Sequence, residues 1–325
     1  MTFVSAQDGW VLGTAPCGAS TCLAILRTQD GGHTWSSVPA PPTTYSTGPT
    51  SPGVNGIRFA DTMDGWVFGP QLWATHNGGV TWSQIAIRGW STAEFEDLET
   101  AAGTVHAAFF DFSDAEPDDA MIATSPVGSN AWQVSATSFS LGAGPVPEPE
   151  IVLQGGVGWI LENDRTVVGG AKLIGNQWES WQPPCIGVNG PASLAASSAQ
   201  NLVAVCNQGV WGPATPSGGR VWVSHNGGVS FRLLSTALPG VDYGPSAGPL
   251  ASPSASVAVV GETNTILATF NGGASWSNVY AAAGGIAYLG FTTTSQGVAI
   301  EGSAGPLGSL LMTFDGGHKW EAVAL

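Results

Sequence analysis

The sequence predicts an all-β fold, a single seven-bladed β-propeller with four antiparallel strands per blade. Three observations carry this: an eight-residue box recurring at near-constant spacing, a pair of apolar anchors upstream of each box, and no stretch with a convincing helical period. The box reads TQDGGHTW over Thr28–Trp35, THNGGVTW over Thr75–Trp82, SHNGGVSF over Ser224–Phe231, TFNGGASW over Thr269–Trp276 and TFDGGHKW over Thr313–Trp320. Its first glycine stands at 31, 78, 227, 272 and 316, giving separations of 47, 149, 45 and 44. The long gap is about three periods, so two degenerate copies are expected within it, ending at Trp132 and Trp178.

The anchors test that count. Apolar residues seven positions apart recur as Phe3/Trp10, Phe59/Trp66, Leu98/Val105, Val152/Trp159, Ala195/Leu202, Leu250/Val257 and Phe291/Val298. Seven units follow, with blades at approximately 1–39, 54–88, 94–136, 149–183, 191–236, 247–280 and 286–325 of one domain spanning 1–325. Each unit reads as a short strand, a turn, an apolar second strand (WVLG, WVFG, WILE, VAVV, VAIE), a loop, a third strand, the box and a fourth strand. The chain opens with a first strand and closes with a fourth, so the ring is expected to close without strand exchange.

The box is expected to be the turn between the third and fourth strands. Asp30, Asn77, Asn226, Asn271 and Asp315 stand where an Asx turn needs an acceptor, and the glycine pair supplies positive φ. This pattern resembles the BNR or Asp-box repeat. The unit as a whole is most similar to the propellers of the photosystem II assembly and stability factor type, in the sialidase-like superfamily. The resemblance implies that the box is structural, along with His33, His76, His225 and His318 inside it, and that the ligand face lies opposite. It also implies a non-catalytic, protein-binding module.

The same superfamily contains sialidases and xyloglucan-cleaving glycoside hydrolases, so that alternative is weighed residue by residue. A sialidase needs converging arginines; of the six present, Arg27 and Arg232 fall on outer strands, leaving Arg58, Arg88, Arg165 and Arg220. The carboxylates available for acid–base work are Asp114, Glu162 and Glu301, the last two at equivalent ends of second strands.

Composition narrows the partners. Lys+Arg 8 against Asp+Glu 23 gives a net charge of −15, and the only lysines are Lys172 and Lys319. Nucleic acid is excluded as a partner, because phosphate neutralisation needs clustered cations. No run is long and apolar enough for a membrane-spanning helix. The four cysteines allow three pairings. Cys17–Cys22 and Cys185–Cys206 are favoured because each couple is local and falls in loops on one face; four reduced thiols are the alternative. Disulfides imply a secreted, periplasmic or cell-surface protein whose export signal was removed or lay upstream of Met1.

Strand order places the second-to-third loops and the blade-to-blade linkers on the face opposite the boxes. Their lengths vary widely, as in Thr14–Thr21 and Pro39–Val54, and variable loops on a rigid scaffold are where binding is built. Nine carboxylates fall between Glu94 and Asp119, including Asp111, Asp114, Glu116, Asp118 and Asp119. Alternating oxygens suit calcium, but this string lacks the glycine and terminal glutamate of an EF-hand, so a solvated acidic loop without cofactor or metal is expected. Trp90, Trp181 and Trp211 lie outside the two repeat positions for tryptophan; they are candidates for stacking on a sugar or a partner's apolar patch, with packing between blades as the plainer reading. The expected protein is a monomer binding a protein or a neutral polysaccharide.

Overall fold

The computed structural model describes residues 1–48, 51–111, 120–139, 148–164, 166–188, 190–207, 219–235, 238, 248–302 and 308–325. Blade one comprises β1 (Thr2–Phe3), β2 (Gly9–Cys17), β3 (Ser20–Thr28) and β4 (Ser36–Val38); blade two, β5 (Gly56–Phe59), β6 (Gly65–Phe68), β7 (Trp73–Thr75) and β8 (Ser83–Gln84); blade three, β9 (Ala93–Ala101), β10 (Thr104–Asp111), β11 (Ala120–Pro126) and β12 (Gln133–Phe139). Blade four comprises β13 (Glu148–Gln154), β14 (Val157–Asp164), β15 (Thr166–Ile174) and β16 (Gln177–Ser180); blade five, β17 (Ala192–Ala196), β18 (Leu202–Cys206), β19 (Arg220–Ser224) and β20 (Arg232–Ser235). Blade six comprises β21 (Leu250–Ser254), β22 (Val257–Gly261), β23 (Thr265–Thr269) and β24 (Ser277–Ala281); blade seven, β25 (Ile286–Phe291), β26 (Gly297–Glu301), β27 (Ser309–Thr313) and β28 (Glu321–Val323).

Every sheet is a four-stranded antiparallel meander of consecutive strands, so the fold is a seven-bladed β-propeller with no exchanged strand. Two compact units divide it: Met1–Ser140 with Leu325, holding blades one to three, and Leu141–Ala324, holding blades four to seven. Burial explains the strand chemistry. In β6 and β18 every residue is buried, because both faces of a second strand are covered by neighbouring blades, and such strands read as unbroken apolar runs. Fourth strands such as β4 and β8 are mostly exposed and carry serine and glutamine.

The boxes form the turns between third and fourth strands. In blade one the Thr28 hydroxyl accepts the Gly32 N–H at 2.8 Å and donates to Asp30 Oδ1, which accepts the Thr34 N–H at 2.9 Å. The same two backbone bonds recur on Thr75 and Asn77, Ser224 and Asn226, Thr269 and Asn271, and Thr313 and Asp315. Asparagine replaces aspartate at no loss of geometry, since only the bond to the next hydroxyl reverses: Thr34 donates to Asp30 Oδ2, whereas Asn77 Nδ2 donates to Thr81 Oγ1. The Thr34 hydroxyl and N–H together hold the Asp30 pKa down to about 2. Of the two degenerate copies, that of blade four has shrunk to a two-residue connection, Gly175 and Asn176, between paired Ile174 and Gln177.

Two sequence expectations are corrected. Thr14–Thr21 is not a loop: β2 and β3 stay paired out to Cys17 and Ser20, because a local disulfide and a glycine with φ of 68° close the hairpin tightly. The anchor pairs of three blades are shifted. In blade three Leu98 and Val105 are both buried but pair with Ala107 and Thr100, a two-residue hairpin at Ala102 and Gly103 replacing the longer turn of blades one and two. In blade five Val203, not Leu202, pairs with the residue before the box as Trp10 does; in blade six Leu250 pairs with Val260 and Val257 with Ser254.

The boxes of blades two, five, six and seven also dock on the blade before them. Both glycines of the pair have left-handed φ, as at Gly227 (67°) and Gly228 (80°). A Cβ on Gly228 would stand 3.1 Å from Trp181 Cζ2 and 3.2 Å from Trp159 Nε1, both in the blade-four segment; one on Gly273 would stand 2.7 Å from Leu234 of blade five. Gly228→Ala should therefore combine left-handed strain with a displaced blade contact and cost about 2–4 kcal/mol. Gly103→Ala, at φ of 78° with no atom within 4 Å, should cost only about 1 kcal/mol. Urea unfolding of the two variants measures the difference, and equal costs would refute a docking role for the box.

Candidate binding surface at the loop ends of the blades

At the end of each blade opposite its box lie the second-to-third loops and the linkers to the next blade. The candidates Asp114, Glu116, Asp118, Asp119 and Trp211 lie outside the described residues, as does Arg165. Asp111 closes β10 and accepts a hydrogen bond from the Thr92 hydroxyl, which ties the base of the acidic loop to the linker entering blade three.

The most prominent described feature is the β2–β3 hairpin. Both strands have nine residues against four in β6, so the paired ladder continues about 17 Å past the point where that of blade two gives way to a loop. Residues 15–22 are all exposed, carry no charge, and are closed by Cys17–Cys22 with a Cα–Cα distance of 5.8 Å. The next linker is ordered by its own polar groups: the buried Ser46 hydroxyl lies within bonding distance of the Gly48 and Ser51 carbonyls, and Tyr45 bridges to Val54. The second disulfide, Cys185–Cys206, is buried and ties the linker out of blade four to the end of β18. No free cysteine is found among the described residues.

The tryptophan candidates have packing partners. Trp90 is half-buried, with its ring edge-on to Phe109 at 5.6 Å. Trp181 is also half-buried; its Nε1 donates to the Gly228 carbonyl at 2.9 Å and its ring lies 6.1 Å from Phe231.

The carboxylates at the ends of second strands differ in environment. Glu301 accepts the Tyr280 hydroxyl at 3.1 Å and the Ala283 N–H, so it fastens the linker between blades six and seven. Burial, followed by that hydrogen bond, raises the Tyr280 pKa. Glu162 is 1% exposed and lies against Gly169, where a Cβ would come within 2.9 Å of its Oε2. Its neighbour Asn163 exchanges two hydrogen bonds with Ala192 of blade five, at 3.0 and 2.9 Å.

Sequence reasoning missed Glu262, one residue beyond β22. It is 5% exposed, its Oε1 is buried without a hydrogen-bond partner, and burial pushes its pKa up to about 8. The only sequence signal was its place after an unbroken apolar run, VAVVG, where Glu162 and Glu301 also occur in their blades.

With the architecture in hand, the chain is defined as a seven-bladed β-propeller. No protein-family profile and no curated protein matches it. Among solved structures it resembles YCF48 bound to D1 peptide, with 15% identity, a TM-score of 0.63 and coverage of 96% of this chain and 91% of that one. YCF48 from Cyanidioschyzon merolae aligns at 14% identity and a TM-score of 0.59, covering 96% and 97%. A Mycobacterium tuberculosis puromycin-hydrolyzing peptidase aligns at 12% identity and a TM-score of 0.63, covering all of this chain but only 54% of its own. The likeness read from the repeat thus extends to the fold, which this chain shares with YCF48. Among the described residues, no helix is long and apolar enough to cross a membrane, and no cluster of three or more His, Cys, Asp or Glu could hold a metal ion.

Glu262 binds its proton more tightly in the folded state than at the ordinary value of 4.5. Its contribution to stability is therefore complete below pH 4.5 and lost as the pH rises toward about 8. Glu262→Gln should remove this loss and raise stability by roughly 2–4 kcal/mol at pH 8.5 with little change at pH 5. Thermal melts of both proteins at the two pH values measure this; parallel shifts at both would show that the carboxyl does not titrate in this range.

Proposed function

We infer that this is an exported, non-catalytic β-propeller, a monomer that binds a protein partner or a neutral polysaccharide with the loop ends of its blades. The observation that carries the reading is the disulfide-closed β2–β3 hairpin. A finger that extends beyond its blade, exposes an uncharged tip and is stapled across its strands offers contact area with little conformational entropy left to lose on binding. Two disulfides suit an oxidising compartment outside the cytosol. The resemblance to YCF48 captured with a peptide favours protein over polysaccharide. Net charge of −15 favours neutral or basic partners. Glu301, the carboxylate best placed for acid–base work, is engaged by the linker it fastens, which argues against a glycosidase. The reading needs no cofactor or metal.

The test replaces residues 15–22 with a two-residue Asn-Gly turn, a change confined to exposed positions. Cross-linking mass spectrometry of the wild-type protein with its native extracellular fraction should identify a partner that the shortened variant binds at least tenfold more weakly, while both melt within a few degrees of each other. Partner affinity unchanged by the deletion would remove the hairpin from the site. Turnover of a glycoside panel, abolished by Glu301→Gln, would overturn the non-catalytic reading. Reduction gives a further check. The buried Cys185–Cys206 closes the longer loop, so its Ser/Ser variant should lose about 3 kcal/mol against about 2 kcal/mol for Cys17–Cys22, measured by urea unfolding.

A further inference from the structure

Superposing the repeats by strand register exposes a gap in one seam between blades. Three positions recur at seams within each unit: a second-strand residue facing the next blade, the third-strand residue paired with it, and the first-strand residue that meets them from the next blade. Between blades one and two these are Trp10, Arg27 and Phe59. Trp10 stacks on Phe59 with centroids 3.9 Å apart, and the Arg27 guanidinium lies 4.8 Å from the centre of the Trp10 ring. Between blades four and five, Trp159 pairs with Lys172, whose Nζ sits 5.9 Å from the ring centre and donates to the Gly227 carbonyl of the next box at 2.7 Å. Trp159 Nε1 donates to the same carbonyl at 3.2 Å. Trp66 supplies the ring between blades two and three, and Phe291 between six and seven, edge-on to Trp320.

Between blades five and six the second- and third-strand positions are Val203 and Val223, and Ser252, next to Ala251 in the first strand of blade six, lines the same space. No aromatic ring and no cation stands at any of them. A cleft of about 140 Å³ occupies their place, open at the box ends, walled by Val203, Val223 and Val257 and bordered by Gly272, Gly273 and Trp276 of the following box. Gly272 is the counterpart of Gly227, and no described side chain donates to its carbonyl. Cavities of about 150 Å³ accept a group the size of benzene, so the gap is large enough for a planar side-chain head with its stem.

We propose that this cleft is a binding site for an arginine side chain presented by a protein partner, which takes the place that Trp–cation pairs fill in the seams of blades one and four. Arginine fits both halves of the missing pair. Its guanidinium is planar and stacks as a ring does, and its N–H groups can donate to the Gly272 carbonyl as Lys172 donates to that of Gly227. Its methylene stem matches the valine walls. Charge complementarity points the same way, since a chain of net charge −15 attracts a basic segment, and the cleft itself holds neither lysine nor arginine to repel one. The site lies at the box ends of blades five and six, opposite the second-to-third loops of those blades, and does not depend on the reading given under Proposed function.

The test is a titration with the pentapeptides Gly-Ser-Arg-Ser-Gly, Gly-Ser-Lys-Ser-Gly, Gly-Ser-Phe-Ser-Gly and the norleucine analogue. The readouts are the Trp276 indole and the Val203, Val223 and Val257 methyl resonances, assigned by single substitutions. The arginine peptide should shift these signals and bind about tenfold more tightly than the norleucine peptide, a difference of about 1.4 kcal/mol. Val223→Lys should supply an internal cation, abolish the shift and leave the melting temperature unchanged or raised, as should Val203→Trp/Val223→Lys, which rebuilds the blade-four pair. Silent resonances with all peptides would overturn the site. Tighter binding of the phenylalanine peptide, or equal binding of the norleucine peptide, would overturn the assignment to arginine. Should Val223→Lys fail to fold, Ser252→Phe, which fills the cleft from the other blade without a buried charge, must block the same shifts.

Discussion

Within each unit the structure depends on the contact between a box turn and the blade before it, as in blades two, five, six and seven. A four-stranded meander of short strands has two apolar faces and cannot bury either alone, so a blade is stable only when pressed between others. The box makes that approach possible. Its Ser or Thr hydroxyl and Asx side chain satisfy the backbone N–H groups of the turn from within, leaving no polar demand on the neighbouring blade. Its two glycines present bare backbone, so a tryptophan, a leucine or a valine of the preceding blade can close to van der Waals contact. The turn carbonyl freed by this arrangement becomes an acceptor for the neighbour, as Gly227 is for Lys172 and Trp159.

This division of labour decides what could be read from the sequence. Strand count, meander order and both disulfides were legible, because the box has fixed chemistry at fixed spacing and each cysteine couple is local. The registers of blades three, five and six were not, because apolar residues seven apart also arise from shorter hairpins and shifted ladders; Leu98 and Val105 are both core without being equivalents of Phe3 and Trp10, and neither Leu202 nor Val257 holds the place of Trp10. Two of the box histidines make contacts within their own blades. His76 binds Asp64 at 2.6 Å and His225 binds Asn201 at 2.8 Å, in each case joining the second box position to the turn between first and second strands. The roles of Glu262 and Glu301 were not legible. The residue type and the place after an apolar strand are the same, and only the linker that packs against each separates a carboxyl bonded by backbone N–H groups from one left without them.

The loop ends show how such a scaffold hosts function without disturbing its core. Strands of nine residues in β2 and β3 continue a ladder that begins between buried residues, so the exposed hairpin inherits its orientation from the blade. The disulfide at its tip restrains the part furthest from that support. At the other end of the blades the connections are short turns, and in blades one, two, five, six and seven the box closes on its own hydrogen bonds.

Repetition makes those seams informative. In a unique core a pair of valines facing a serine would pass as ordinary packing, since small side chains are accommodated wherever the backbone closes around them. At the seams entered by the boxes of blades two, five and six the backbone is set by the same strand order and the same turn, so it does not close to match a smaller side chain. A stacked Trp10, Arg27 and Phe59 in one seam and Val203 and Val223 with Ser252 lining the same space in another therefore differ by open space. That space retains the chemistry of the filled seams, an apolar wall beside the turn carbonyl, while the group that would use it is absent from the chain. A repeat protein thus records in its own filled copies what its unfilled copy is shaped to receive.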